Sequence, residues 1–82
     1  MTQIELARQW AATPIGYRKA GALFCDFATI YSYSRSFPLA RIIDSENAVM
    51  TSRSCPSVTT KRHLNLVRGV LERARYNLKE DL

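Results

Sequence analysis

Between Ser57 and Leu78 the apolar residues fall at steps of three and four: Leu64, Val67, Leu71, Ala74 and Leu78. That spacing is one face of a helix, widened by Val70. Lys61, Asn65, Arg68, Glu72, Arg75 and Lys79 collect on the opposite side. The pattern predicts a long helix over 57–79, with its stripe laid across whatever the middle of the chain builds. Arg68 and Glu72 are four apart and are expected to pair, a surface contribution of a few tenths of a kcal/mol. Gly69 costs about 1 kcal/mol against Ala inside a helix, so close packing against a neighbour is expected there.

The start of this helix has its own chemistry. Ser57, Thr59 and Thr60 can each serve as N-cap, because their hydroxyls accept from free backbone N–H groups. Lys61 and Arg62 follow at once, where positive charge opposes the helix dipole. Hydroxyls, free N–H groups and two cations at one helix N-terminus suit a phosphate or carboxylate. An ordinary cap followed by two solvated cations has the same sequence and is the commoner arrangement.

Taken in order, the chain opens on Thr2-Gln3-Ile4-Glu5, a capping box with Thr2 as N-cap and Glu5 at N3. A first helix is expected to run to about Ala12, with Ile4, Ala7, Trp10 and Ala11 on its apolar side and Trp10 as the main anchor. Thr13-Pro14 then reads as the start of a second, short helix closed by Gly21. From Ala22 the period changes. Ala22–Cys25, Ala28–Tyr33, Leu39–Ile43 and Ala48–Thr51 read as strands, with Asp26-Phe27 and Asp44-Ser45-Glu46-Asn47 as turns and Pro38 at a strand start. The tail beyond Tyr76 is expected to fray, since Glu80 and Asp81 carry the wrong sign for a helix C-terminus. The expected fold is therefore α+β. It has an N-terminal helix plus a short helix (1–21), a three- to four-stranded antiparallel meander (22–52), and a long C-terminal helix packed on one face (57–79). The other face of the sheet is then more open and is a natural place for a partner.

At 82 residues the chain is one small domain near the lower limit for a self-sufficient core, and a homodimer would help bury enough surface. The net charge of +5 and pI near 9.7 favour an acidic partner: nucleic acid, a nucleoprotein or an acidic protein surface. Cys25 and Cys55 form no C-x-x-C pair, and one His cannot complete a zinc set with them, so no metal and no cofactor are expected. Two reduced thiols fit a cytosolic protein. Glu5 and Arg8 interrupt any signal peptide, and no apolar run approaches a membrane span, so a cytoplasmic location is expected and no membrane partner is expected.

Two side-chain groups bear on function. His63 falls at the edge of the apolar stripe and is expected to hydrogen-bond a strand hydroxyl such as Thr29 or Tyr31. A Cys–His pair with Cys55 would need an orienting group and an oxyanion hole, and the sequence specifies neither, so no catalytic residue is assigned. Tyr31, Tyr33 and Phe37 could offer stacking surfaces beside Arg35 and Arg41. Alternation sets Tyr31 and Tyr33 on one face, and a chain this short is expected to use them as core.

Tyr31-Ser32-Tyr33, then Phe37-Pro38-Leu39-Ala40, then Ser57-Val58-Thr59-Thr60 followed by His63 resembles a family of small phage and prophage proteins. These carry a similar Tyr-Ser-Tyr, a Pro-Ile-Ala-like strand, and a Ser-Val-Thr-Thr turn before a basic helix. The resemblance covers roughly residues 22 to 75. The chain departs from the pattern at Asp26-Phe27, where a glycine turn is expected, and at Cys55, where an aromatic is. The resemblance implies a non-enzymatic, phage-type accessory protein that inhibits or modulates a host machine by binding it, a CRISPR or other defence nucleoprotein among the candidates. It also makes the expected cytoplasm that of a host cell. The alternative is a direct, largely sequence-nonspecific nucleic-acid binder using Lys61, Arg62, Arg68, Arg75, Arg53 and Arg35, with Arg41 beside the tyrosines.

Overall fold

Thr2 opens the first helix as its sequence requires: its hydroxyl accepts from Glu5 N–H (3.2 Å), and Glu5 Oε1 accepts from Thr2 N–H (3.0 Å). The computed structural model describes residues 1–54 and 57–82. Its elements are α1 (Gln3–Ala12), β1 (Tyr17–Ala20), β2 (Leu23–Asp26), β3 (Thr29–Ser32), β4 (Pro38–Ile42), β5 (Asn47–Met50), α2 (Val58–Arg73) and β6 (Asn77–Lys79). The α+β class stands, and the four expected strands lie within one or two residues of β2 to β5. Two further strands, β1 and β6, replace the expected second helix and the end of the long one.

The first correction lies at Thr13-Pro14. Thr13 is the C-cap of α1, with φ −142°, rather than the N-cap of a second helix. A residue before proline is pushed out of the α region, so Thr13-Pro14 stops a helix here. Gly16, at φ +77°, then turns the chain into β1. Tyr17–Ala20 pairs antiparallel with Leu23–Asp26, which leaves Gly21-Ala22 as a two-residue hairpin turn. Gly21, at φ +63°, is thus the first residue of a β-turn and not a helix C-cap. The next hairpin turn is Phe27-Ala28, one residue beyond the expected Asp26-Phe27, with Phe27 held at φ +52°. Trp10 Nε1 donates to the Phe27 carbonyl (3.0 Å) and steadies that turn from α1.

The second correction lies at the end of α2. The helix stops at Ala74, and Arg75 sits at φ +65°. Tyr76 N–H bonds the Leu71 carbonyl (3.1 Å) and Arg75 N–H bonds the Glu72 carbonyl (3.0 Å). That pair of bonds is a Schellman stop with arginine where glycine is usual. Tyr76 then turns inward, and its hydroxyl donates to the Ala11 carbonyl (2.8 Å). The tail does not fray: Asn77, Leu78 and Lys79 pair parallel to Asn47, Ala48 and Val49, and Leu82 N–H reaches the Met50 carbonyl (3.2 Å). Arg68 accordingly pairs with Glu80 (2.6 Å) and not with Glu72.

The described strands form one sheet in the order β1-β2-β3-β4-β5-β6, antiparallel except for β5–β6, where α2 supplies the crossover. Both helices pack on the same face. Leu6, Ala7, Trp10 and Ala11 of α1 and Leu64, Val67, Val70 and Leu71 of α2 meet Leu23, Cys25, Ile30, Ala40, Ala48 and Met50 in one core. A bulge at Ile30/Tyr31, opposite Pro38, lets Leu39 and Ala40 both turn inward. Gly69 does not mark a close approach, because a Cβ built there meets nothing within 4 Å.

Two substitutions test these assignments. Gly69→Ala should stabilise the protein by about 1 kcal/mol, since it raises helix propensity into open space. Arg75→Gly should stabilise it by up to about 1 kcal/mol by removing left-handed strain at the helix stop. Urea midpoints at unchanged m-value check both. A helix running on to Lys79 would instead make Arg75→Gly destabilising.

Candidate functional site

The face of the sheet turned away from the helices follows from register. Tyr17 and Lys19 of β1, Phe24 and Asp26 of β2, Thr29 and Tyr31 of β3, Arg41 of β4, Val49 of β5 and Lys79 of β6 are cross-strand partners in turn. Each alternates with a residue of the core. Across β1, β2 and β3 the rings form a ladder. Tyr17 and Phe24 lie 6.0 Å apart at 37°, and Phe24 and Tyr31 stack at 5.0 Å and 19°. Such pairs stabilise by about 0.5–1.5 kcal/mol beyond their buried area.

Arg35, from the β3–β4 connection, sits over this ladder. Its Cζ is 5.9 Å from the Phe24 centroid and 5.6 Å from that of Tyr31. Its Nη1 is 2.7 Å from Asp26 Oδ2. The Asp26 carboxylate holds the Arg35 pKa even above its usual range, so the cation is permanent. Phe24 is only 8% exposed although no helix covers it: its neighbours and Arg35 do the covering. Arg41 Nε donates to Thr29 Oγ1 (3.4 Å) on the same face. Among the strand residues and Arg35, four cations (Lys19, Arg35, Arg41 and Lys79) face one carboxylate, Asp26. Beside the ladder an open groove of about 620 Å³ is lined by Tyr17, Lys19, Phe24, Tyr33 and Arg35.

The start of α2 is arranged differently from an anion site. Ser57 is the N-cap: its hydroxyl accepts from Thr60 N–H (3.1 Å) and donates to Thr60 Oγ1 (3.1 Å). Thr60 is buried and accepts again from Ser32 Oγ (3.3 Å). These hydroxyls therefore point into the fold, while Thr59, Lys61 and Arg62 are exposed. Arg68 is held by Glu80, and Arg75 stands exposed in the helix stop. Arg53 stacks over Phe37 at 4.9 Å and donates to the Ser36 carbonyl (3.0 Å). The residues singled out from sequence thus separate. Ser57, Thr59, Thr60, Lys61, Arg62, Arg68 and Arg75 belong to α2 and its ends, whereas Arg35 and Arg41 belong to the open sheet face.

Three side chains depart from expectation. Tyr31 is half-buried on the open face and not in the core. Tyr33 leaves the alternation: at φ +66° it turns out of β3 and is 61% exposed, with its ring 6.3 Å from His63. His63 bonds a strand hydroxyl, but it is that of Ser32 (Nδ1 to Oγ, 2.8 Å) and not Thr29 or Tyr31. A serine hydroxyl at that distance from an imidazole has the geometry of a nucleophile and its base. Here Ser32 is 1% exposed and His63 2%, so the pair fastens α2 to β3 in the interior. Cys25 is buried, which pushes its thiol pKa up. Cys55, and with it the Cys–His pairing, lies outside the described residues. Among the described residues no group of three His, Cys, Asp or Glu is placed to hold a metal, and no helix is long and apolar enough to cross a membrane.

Tyr17 and Lys19 escape a sequence reading that makes Tyr17–Ala20 helical, and Phe24, although placed on a strand, then lacks the neighbour that makes it part of a ladder. The Tyr-x-Lys and Phe-x-Asp alternation on either side of Gly21-Ala22 was the available signal. Comparison of the chain with protein-family models, with curated proteins and with solved structures found no match.

The buried His63 makes the fold pH-sensitive with a defined sign. Burial lowers its pKa below the ordinary 6.5. The unfolded chain then binds the proton more readily, so this contribution is complete above about pH 6.5 and is lost as pH falls below it. Urea midpoints should drop between pH 7.5 and 5, and His63→Gln should flatten the slope. An equal slope in the variant would show that another group carries the transition.

Proposed function

We propose that this protein is a non-enzymatic binding protein that holds single-stranded nucleic acid on its open sheet face. The Tyr17–Phe24–Tyr31 ladder, set among Lys19, Arg35, Arg41 and Lys79, is the observation that carries the reading. Phe24 is held between its neighbours, so unpaired bases would stack on the outer rings, Tyr17 and Tyr31, for about 1–3 kcal/mol each, while cations on the same face track the phosphates. A duplex keeps its base faces inside and can use only the charge. The cations at the start of α2 lie off this surface and add only to the general positive field. In the phage-type role implied by the Tyr-Ser-Tyr and Ser-Val-Thr-Thr motifs, the strand would be one displayed by a host defence nucleoprotein in the cytoplasm. The protein would then act by occupying it.

The test is an anisotropy titration of mixed-sequence single and double strands at low and physiological salt. Single strands should bind more tightly than duplex, with affinity falling steeply as salt rises. Tyr31→Ala should cost roughly 1–3 kcal/mol of binding. Arg41→Glu with Lys79→Glu should weaken binding and flatten the salt slope. Lys61→Glu with Arg62→Glu should stay near wild type. Loss in that last variant, with Tyr31→Ala unaffected, would move the site to the start of α2. Absence of binding at low salt would remove the reading.

A further inference from the structure

Asp26 is out of place on a phosphate-binding surface. Its carboxylate stands two residues from Phe24 on the same face of β2, where it repels any phosphate brought to the ladder. A carboxylate only accepts hydrogen bonds, so it gains from a nucleic-acid strand only where a base turns N–H groups toward it. In the free protein that need is met from within. Arg35 places a guanidinium over both the Phe24 and Tyr31 rings and brings Nη1 to 2.7 Å from Asp26 Oδ2.

The geometry points to guanine as the base this site takes, with Arg35 holding its place until it arrives; the inference rests on the single-strand reading above. The Watson–Crick edge of guanine is a cyclic guanidine unit. It offers N1–H and N2–H side by side, as arginine offers two N–H groups to a carboxylate. Cytosine and adenine each set one amino group beside an acceptor nitrogen, which would face the carboxylate with a lone pair. Thymine and uracil set one N–H between two carbonyl oxygens. Guanine alone presents two adjacent donors in the place that the Arg35 guanidinium now holds over the Phe24 and Tyr31 rings. Single-stranded bases are open to this kind of edge recognition. Arg35, released from Asp26, remains at the groove with Lys19 and is free to meet the phosphate of the same nucleotide.

Three otherwise identical oligothymidines test this, carrying a central guanine, a central hypoxanthine, or none. Hypoxanthine keeps N1–H and lacks the N2 amino group. The wild-type protein should bind the guanine strand about tenfold more tightly than the unsubstituted strand, with hypoxanthine between them. Asp26→Asn and Asp26→Ala should abolish the ranking while leaving oligothymidine binding equal or tighter, and thermal unfolding of each variant confirms its fold. Equal binding of guanine and hypoxanthine strands by wild type, or a ranking that survives both substitutions, would overturn the guanine inference and leave single-strand binding standing. Binding of none of the three at low salt would overturn the single-strand reading and this inference with it.

Discussion

Two helices cannot cover both faces of a six-stranded sheet, and the remaining features of this protein follow from that shortage. α1 and α2 lie side by side on one face, where Trp10, Leu6, Val67 and Leu71 are fully buried. The other face has to be made compatible with water from its own side chains. The chain does this by stacking its rings among charged and polar neighbours. Phe24 lies between Tyr17 and Tyr31, and Arg35 closes over the pair. Apolar ring surface is thereby removed from solvent, and the charged groups remain outermost.

Polar contacts fix how the helices sit on the covered face. Ser32 of β3, Thr60 and His63 of α2, and the Ser57 cap share one chain of hydrogen bonds, and among the described residues no buried side-chain polar atom lacks a partner. A buried network with every member satisfied sets register as well as contributing stability. Hydrophobic burial would tolerate a rotation of α2 about its axis, whereas this network does not. At the opposite end, Trp10 reaches the Phe27 carbonyl and Tyr76 the Ala11 carbonyl. These ties join α2 to β3, α1 to the Phe27 turn, and the segment after α2 to the end of α1.

The legible parts of this fold were those with one local signal and no competitor. The Thr2 capping box, the apolar stripe from Leu64 to Leu71, the Asp44 turn and the strands from Leu23 to Met50 all have that character. The illegible parts are positions where a signal has two meanings or the usual residue is replaced. Thr13-Pro14 reads equally as a helix start and a helix stop, and long-range pairing of Tyr17–Ala20 with β2 decides between them. The end of α2 was hidden because the left-handed residue is Arg75 and not glycine, and because Leu78 falls on the helical stripe by spacing while serving in β6. Of the site, Arg35 and Arg41 were legible as cations near tyrosines. The ladder was not, since it joins three strands and one of them was assigned to a helix.

On the single-strand reading proposed above, the same face would serve the protein both empty and occupied, and the strengths of its contacts can be compared on that footing. The Arg35–Asp26 pair is exposed, at 59% and 26% of the two side chains. Ion pairs in such surroundings hold weakly, because water screens them and ordering two long side chains opposes them. The ring stack beneath is close, with Phe24 held between Tyr17 and Tyr31. On that reading, Arg35 could move aside while the stack keeps its shape, so little reorganisation would oppose an incoming planar group. In that proposal the weak contact, Arg35–Asp26, is the one that would break, and the ring stack is the part a ligand would leave unchanged.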